Sequence, residues 1–141
     1  MTQVDFYVLK DSSPAAGPLF ACRLAEKAVK QGHSIFINTA SDQQLRQMDD
    51  LLWSFRAGSF LPHSVYNAGA DQAEPVLLGC AAEPDGPSDV LLNLAADIPA
   101  FFSRFRRVVE VVSGDETWRA AARGRYGFYR DRGYTLNTHK I

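Results

Sequence analysis

The chain has 141 residues, 46% hydrophobic and 22% charged, with a formal net charge of −1. That is the size and composition of one globular domain with a full core, and the near-neutral balance excludes a general nucleic-acid-binding domain, which is usually basic. The apolar runs are too short for a membrane span, no leader-like segment opens the chain, and two distant cysteines, Cys22 and Cys80, fit a reduced cytoplasmic protein without a disulfide or zinc site.

Val4 to Leu9 (VDFYVL) reads as a strand, and Asp11 to Gly17 as a loop by its turn residues. Pro18 to Gln31 reads as a helix with Leu19, Phe20, Cys22, Leu24, Ala25, Ala28 and Val29 on its apolar side, ended by Gly32. Ser34 to Asn38 (SIFIN) is a second strand, so the opening segment forms a βαβ unit with parallel strands and a right-handed crossover. Ser41 and Gln44 make a capping box for a helix carrying Leu45, Met48, Leu51 and Leu52. Trp53 to His63 (WSFRAGSFLPH) is aromatic-rich and broken by Gly58 and Pro62, and Val65 to Pro75 is loop-like. Val76 to Gly79 is a third strand, Ala82 to Ser88 a turn or loop, and Asp89 to Asn93 a fourth strand. Pro99 to Phe105 reads as a short helix and Arg107 to Val112 as a fifth strand.

Ser113 to Thr138 contains the most informative pattern. Ser113 and Glu116 fit a capping box, Asp115 adds negative charge to the first turn, and Gly133 supplies the stop after Arg130 and Arg132. At helical spacing, Arg119, Arg123, Tyr126 and Arg130 form one stripe, and Trp118, Ala121, Ala122, Phe128 and Tyr129 another. Arg125 falls on the packing side, where it either snorkels or meets an acid. Gly124 and Gly127 each weaken the helix by roughly 1 kcal/mol, so it needs tertiary packing. The arginine stripe is either a solvated face or a docking site for an acidic, carboxylate-bearing peptide.

Strands alternating with helices give a single three-layer α/β/α domain over residues 1–141, with a mainly parallel sheet. A hairpin of the third and fourth strands across Cys80 to Ser88 would make the sheet mixed. No phosphate loop, dinucleotide fingerprint or serine elbow is present. His33, His63 and His139 are scattered, and neither Asp5 nor Asp89 has an identifiable partner. No cofactor or intrinsic catalysis is expected. Either Trp53, Phe55 and Phe60 cover the core, or Trp53, Phe60 and Leu61 form an exposed interface patch rimmed by Arg56 and His63.

Three segments resemble the chi subunit of bacterial DNA polymerase III. They are Asp5-Phe6-Tyr7-Val8-Leu9; Leu52-Trp53 followed by Ser59-Phe60-Leu61-Pro62-His63; and Arg123-x-Arg125-Tyr126-x-x-Tyr129-Arg130 followed by Gly133-Tyr134-x-Leu136-Asn137-Thr138. The resemblance implies a non-catalytic accessory subunit. It would link the clamp loader, through the psi subunit, to the acidic C-terminal tail of single-stranded-DNA-binding protein, which ends in Pro-Phe and a free carboxylate. It implies tail-binding residues at Arg119, Arg123, Tyr126, Arg130 and Val112, and a psi-facing surface at Trp53, Phe60, Leu61 and Pro62. DNA would be met only indirectly. Gly127 stands where relatives can carry another cation. Two other readings remain: a nucleotide-dependent or hydrolytic enzyme on the same fold, and a direct single-strand binder through the arginine helix.

Overall fold

The computed structural model describes residues 1–58, 60–85 and 88–141. Ser59, Gly86 and Pro87 lie outside them, and with them part of the expected Ala82 to Ser88 loop. Seven strands form one sheet: β1 (Gln3–Val8), β2 (Ile35–Thr39), β3 (His63–Val65), β4 (Val76–Cys80), β5 (Ser88–Asn93), β6 (Phe105–Val112) and β7 (Thr135–Lys140). Three α-helices accompany them: α1 (Ala16–Lys30), α2 (Asp42–Ser54) and α3 (Glu116–Asp131). The strand order is β3-β4-β2-β5-β6-β1-β7, and every recorded pairing is parallel.

The sheet is therefore not mixed. The expected hairpin across Cys80 to Ser88 does not form, because β2 stands between β4 and β5 and pairs with both. Residues Ile35–Thr39 are buried throughout, which only a central strand achieves. Sequence reading also missed two strands, the three-residue β3 and the exposed edge strand β7. The short helix expected over Pro99 to Phe105 is a single 3-10 turn, Phe102–Arg104.

Side chains alternate across the sheet and feed two cores. Ile35, Ile37, Val90, Leu92, Val109 and Val111 pack under α1 and α2 with Cys22, Ala25, Met48 and Leu52. Val4, Phe6, Phe36, Leu91, Val108 and Val112 pack under α3 and the 3-10 turn with Phe102, Ala122 and Tyr129. This is the expected three-layer arrangement, with α3 alone over the β1–β6–β7 end of its face. Side-chain caps start α2 and α3. Ser41 Oγ accepts from the Gln44 amide at 3.1 Å, while Gln44 Oε1 accepts from the Ala40 amide at 2.6 Å. For α3 the cap is Asp115 rather than Ser113: its carboxylate accepts from the Trp118 amide at 3.2 Å. Gly114, at φ +84°, makes the turn that brings Asp115 to that position.

Candidate functional site

The stripe on α3 forms as its spacing dictates, although its members are not equivalent. Arg123 and Arg130 are exposed; Arg123 pairs with Glu116, and Arg130 Nε donates to Asp131 at 3.2 Å. Arg119 is half-buried and straps the helix to β1: its Nε donates to the Gly114 carbonyl at 3.2 Å and its Nη2 to the Leu9 carbonyl at 2.9 Å. The half-buried Tyr126 ring sits edge-on to Phe6 with centroids 5.2 Å apart. Val112, at the end of β6, is a core residue facing Val8 across the β1–β6 pairing.

Beside this stripe lies an open sheet edge. Leu136 packs toward α3, and Thr138 and Lys140 share its side of β7 by the two-residue period. Both are exposed, opposite Phe6 and Val8. Sequence reading named Thr138 only as the end of a stretch and of a resemblance motif, and Lys140 not at all, because β7 was not recognised as a strand.

Beneath the stripe is a buried ionic cluster. Arg125 finds an acid: its Nε donates to Glu110 Oε1 at 2.9 Å, and its Nη1 to the Ala96 carbonyl at 2.9 Å. Tyr129 donates its hydroxyl to the other Glu110 oxygen at 2.8 Å. Asn93 Nδ2 reaches the same carboxylate at 3.2 and 3.3 Å, and accepts at Oδ1 from Asn38 Nδ2 at 3.0 Å. Burial pushes the Glu110 carboxyl up, and Arg125, Tyr129 and Asn93 pull against that shift without cancelling it. Burial, then the neighbouring carboxylate, raises the Tyr129 phenol.

At the opposite end of the sheet, Trp53 closes α2 and is 57% exposed, and Phe60 is 74% exposed. Their rings lie 6.1 Å apart, and Trp53 also covers His63 at 4.5 Å. His63 is buried, with Nδ1 2.7 Å from the Leu61 carbonyl and Nε2 3.2 Å from that of Asp49, so its ring is a structural brace. Pro62 is half-buried, Leu61 is a core residue, and Arg56 is ion-paired with Glu26 at 2.6 Å. The exposed part of the expected psi-facing set is thus Trp53 and Phe60.

Other titratable groups have structural partners. Asp5, unpaired in the sequence reading, is buried and accepts from Arg107 Nη1 at 2.9 Å and His139 Nε2 at 3.1 Å. Cys22 is buried and its thiol is pushed up to about 12, far from the thiolate that nucleophilic chemistry needs. Among the described residues, no group of three or more His, Cys, Asp or Glu side chains could hold a metal ion. None of their helices is long and apolar enough to cross a membrane. A cavity of about 550 Å³ opens at the carboxyl ends of the strands, lined by Gly17, Gln47, Asn93, Ser113 and Trp118 among others. There, a Cβ on Gly17 would meet Ser113 Oγ at 2.6 Å, so the first turn of α1 and the loop after β6 approach each other closely.

Fold and surfaces together define a single parallel α/β domain whose exposed chemistry is an arginine–tyrosine helix face at one sheet edge and a Trp–Phe pair near the other. The known proteins it resembles make the assignment specific. The family described as the DNA polymerase III chi subunit matches residues 1–137. Proteins named DNA polymerase III subunit chi are similar to it along their length. That of Pseudomonas aeruginosa is 43% identical over 100% of this chain and 98% of its own, and that of Escherichia coli 27% identical over 98% and 97%. The Haemophilus influenzae protein is 26% identical over 96% of this chain and 95% of its own. The chain belongs to the DNA polymerase III chi subunit family. It is an accessory, non-catalytic subunit with protein partners in that complex. The crystal structure of T4 UvsW shares the fold, with a TM-score of 0.72 at 7% identity over 99% of this chain and 41% of that one.

Proposed function

We propose that this subunit joins two partners: the psi subunit, through Trp53 and Phe60, and the acidic C-terminal tail of single-stranded-DNA-binding protein, through α3. The observation that carries the tail reading is Tyr126, seated on Phe6 between the exposed Arg123 and Arg130 and beside an open sheet edge. A tail ending in Phe and a free carboxylate needs an apolar floor next to guanidiniums, and this face supplies both. Thr138 and Lys140 extend it, the second with another cation. Arg119 keeps part of its guanidinium for the tail while the rest holds β1.

Burying one Phe ring contributes about 1.5–3 kcal/mol, and a charge-assisted hydrogen bond about 1.5–3 more. Freeing Arg123 from the exposed Glu116 costs only about 0–1 kcal/mol, as expected for a solvated pair. Together the ring and the hydrogen bond supply about 3–6 kcal/mol before ordering costs, so the roughly −8 kcal/mol of micromolar binding also needs the other cations of the face. Arg123→Ala and Tyr126→Ala are each expected to weaken binding at least tenfold, or about 1.4 kcal/mol. The measurement is fluorescence anisotropy with a labelled tail peptide, with and without its terminal Phe. Equal binding of the two peptides, or an unchanged affinity in Arg123→Ala, sinks the tail reading.

A further inference from the structure

We infer that the buried cluster of Arg125, Glu110 and Tyr129 is a positioning device that fixes the angle of α3 on the sheet, and so holds Arg123 and Tyr126 where the acidic tail meets them. This rests on the reading of α3 as the tail site. The buried residues of α3 are Ala122, Arg125 and Tyr129. One is a small alanine, and the other two belong to the cluster. A Cβ added at Gly124 would meet nothing within 4 Å, so that position adds no grip. The rings of Tyr126, Phe128 and Tyr129 also pack on Phe6 and Phe102, so apolar contact holds the helix down, while the directional polar bonds set its orientation.

Those bonds come from several places. Arg125 reaches Glu110 on β6 and the Ala96 carbonyl after β5, while Tyr129 takes the second Glu110 oxygen. Asn93 on β5 holds the same carboxylate from behind and is itself held by Asn38 on β2. Each step along an α-helix turns about 100°, so Tyr126 and Arg130 follow Arg125 and Tyr129 at fixed angles. Whatever fixes the inner pair aims the outer pair. Buried ion pairs of this kind often add little net stability over an apolar replacement of similar volume, and a directional role is what would remain to them. Apolar substitutes would preserve burial and lose the single orientation.

The test is the apolar replacement Glu110→Leu/Arg125→Met/Tyr129→Phe, which leaves no lone buried charge. It is expected to unfold cooperatively, to bind the tail peptide about tenfold more weakly, and to exchange the amides of α3 faster. A folded variant with native tail affinity and native α3 exchange overturns the inference. Where that variant does not fold, Tyr129→Phe decides. It keeps the ion pair and removes one directional bond, so weaker tail binding and faster α3 exchange are expected, and native values of both overturn the inference. Should the native chain itself fail to bind the tail, the docking reading falls, and α3 exchange in the variants still decides whether the cluster sets the helix.

Discussion

Replacing Arg125 by methionine removes the countercharge from Glu110, which is fully buried, and leaves it only Tyr129 and Asn93 as donors. Stripping one partner from a buried pair costs about 3–5 kcal/mol. The chain has one escape, which is to protonate Glu110. Against an ordinary value of about 4.3, that costs roughly 3.7 kcal/mol at pH 7. The lost bond to the Ala96 carbonyl adds about 1 kcal/mol at any pH. The sign with pH follows. Burial already raises the folded Glu110 carboxyl, and without Arg125 it rises further. A raised carboxyl holds its proton more tightly in the folded state, so stability falls as pH rises from the ordinary glutamate value through the folded one. Arg125→Met should therefore cost about 5 kcal/mol at pH 7 and about 1.5 kcal/mol near pH 4.5. Urea unfolding across that range measures it, provided the m-value is constant. An equal cost at both ends of the range, or a cost under about 1 kcal/mol at pH 7, would refute the picture of a carboxylate held charged by Arg125.

Two further outcomes follow from burial. Phe60→Ala should leave the stability of the free chain within about 0.5 kcal/mol, because the ring is mostly exposed, while co-purification with psi drops; loss of soluble protein instead would place Phe60 in the core. Cys22, buried with its thiol pushed up to about 12, should resist alkylation at pH 8 until denaturant is added, as mass spectrometry of the labelled chain would reveal.

The outer face of α3 was legible because helical periodicity is local: Arg119, Arg123, Tyr126 and Arg130 needed only their own spacing. The inner face was half legible. Arg125 was out of place on a packing stripe, but its acid lies on β6, 15 residues earlier in the chain, and no local pattern joins them. Sheet order was hidden for a related reason. Strands buried on both faces read as plain apolar runs, so IFIN and VLLN carry no sign of which neighbour each takes. The short Cys80 to Ser88 connection then favoured a hairpin that β2 displaces. TLNTHK, largely exposed at the sheet edge, lacks the apolar alternation that marks a strand. Ser113 fits the α3 cap by its motif with Glu116, yet the turn at Gly114 hands that role to Asp115.

The order of the sheet bears on how the two proposed partners act together. The tail face borders β7, and Trp53 and Phe60 lie near β3, at opposite ends of the strand order. Six strand intervals at about 4.8 Å put the two edges roughly 29 Å apart. A short tail held at α3 does not reach across that distance, and no described polar cluster runs the full width of the sheet. The Arg125 network extends from α3 only as far as Asn38 on β2. The two partners should therefore bind together and nearly independently, since sites this far apart without shared contacts usually add within about 0.3–0.5 kcal/mol. Tail-peptide affinity measured with and without saturating psi should agree within about twofold. Competition between them, or a tenfold change in tail affinity when psi binds, would mean that the two surfaces overlap or are coupled through the sheet, and the assignment of separate edges would be wrong.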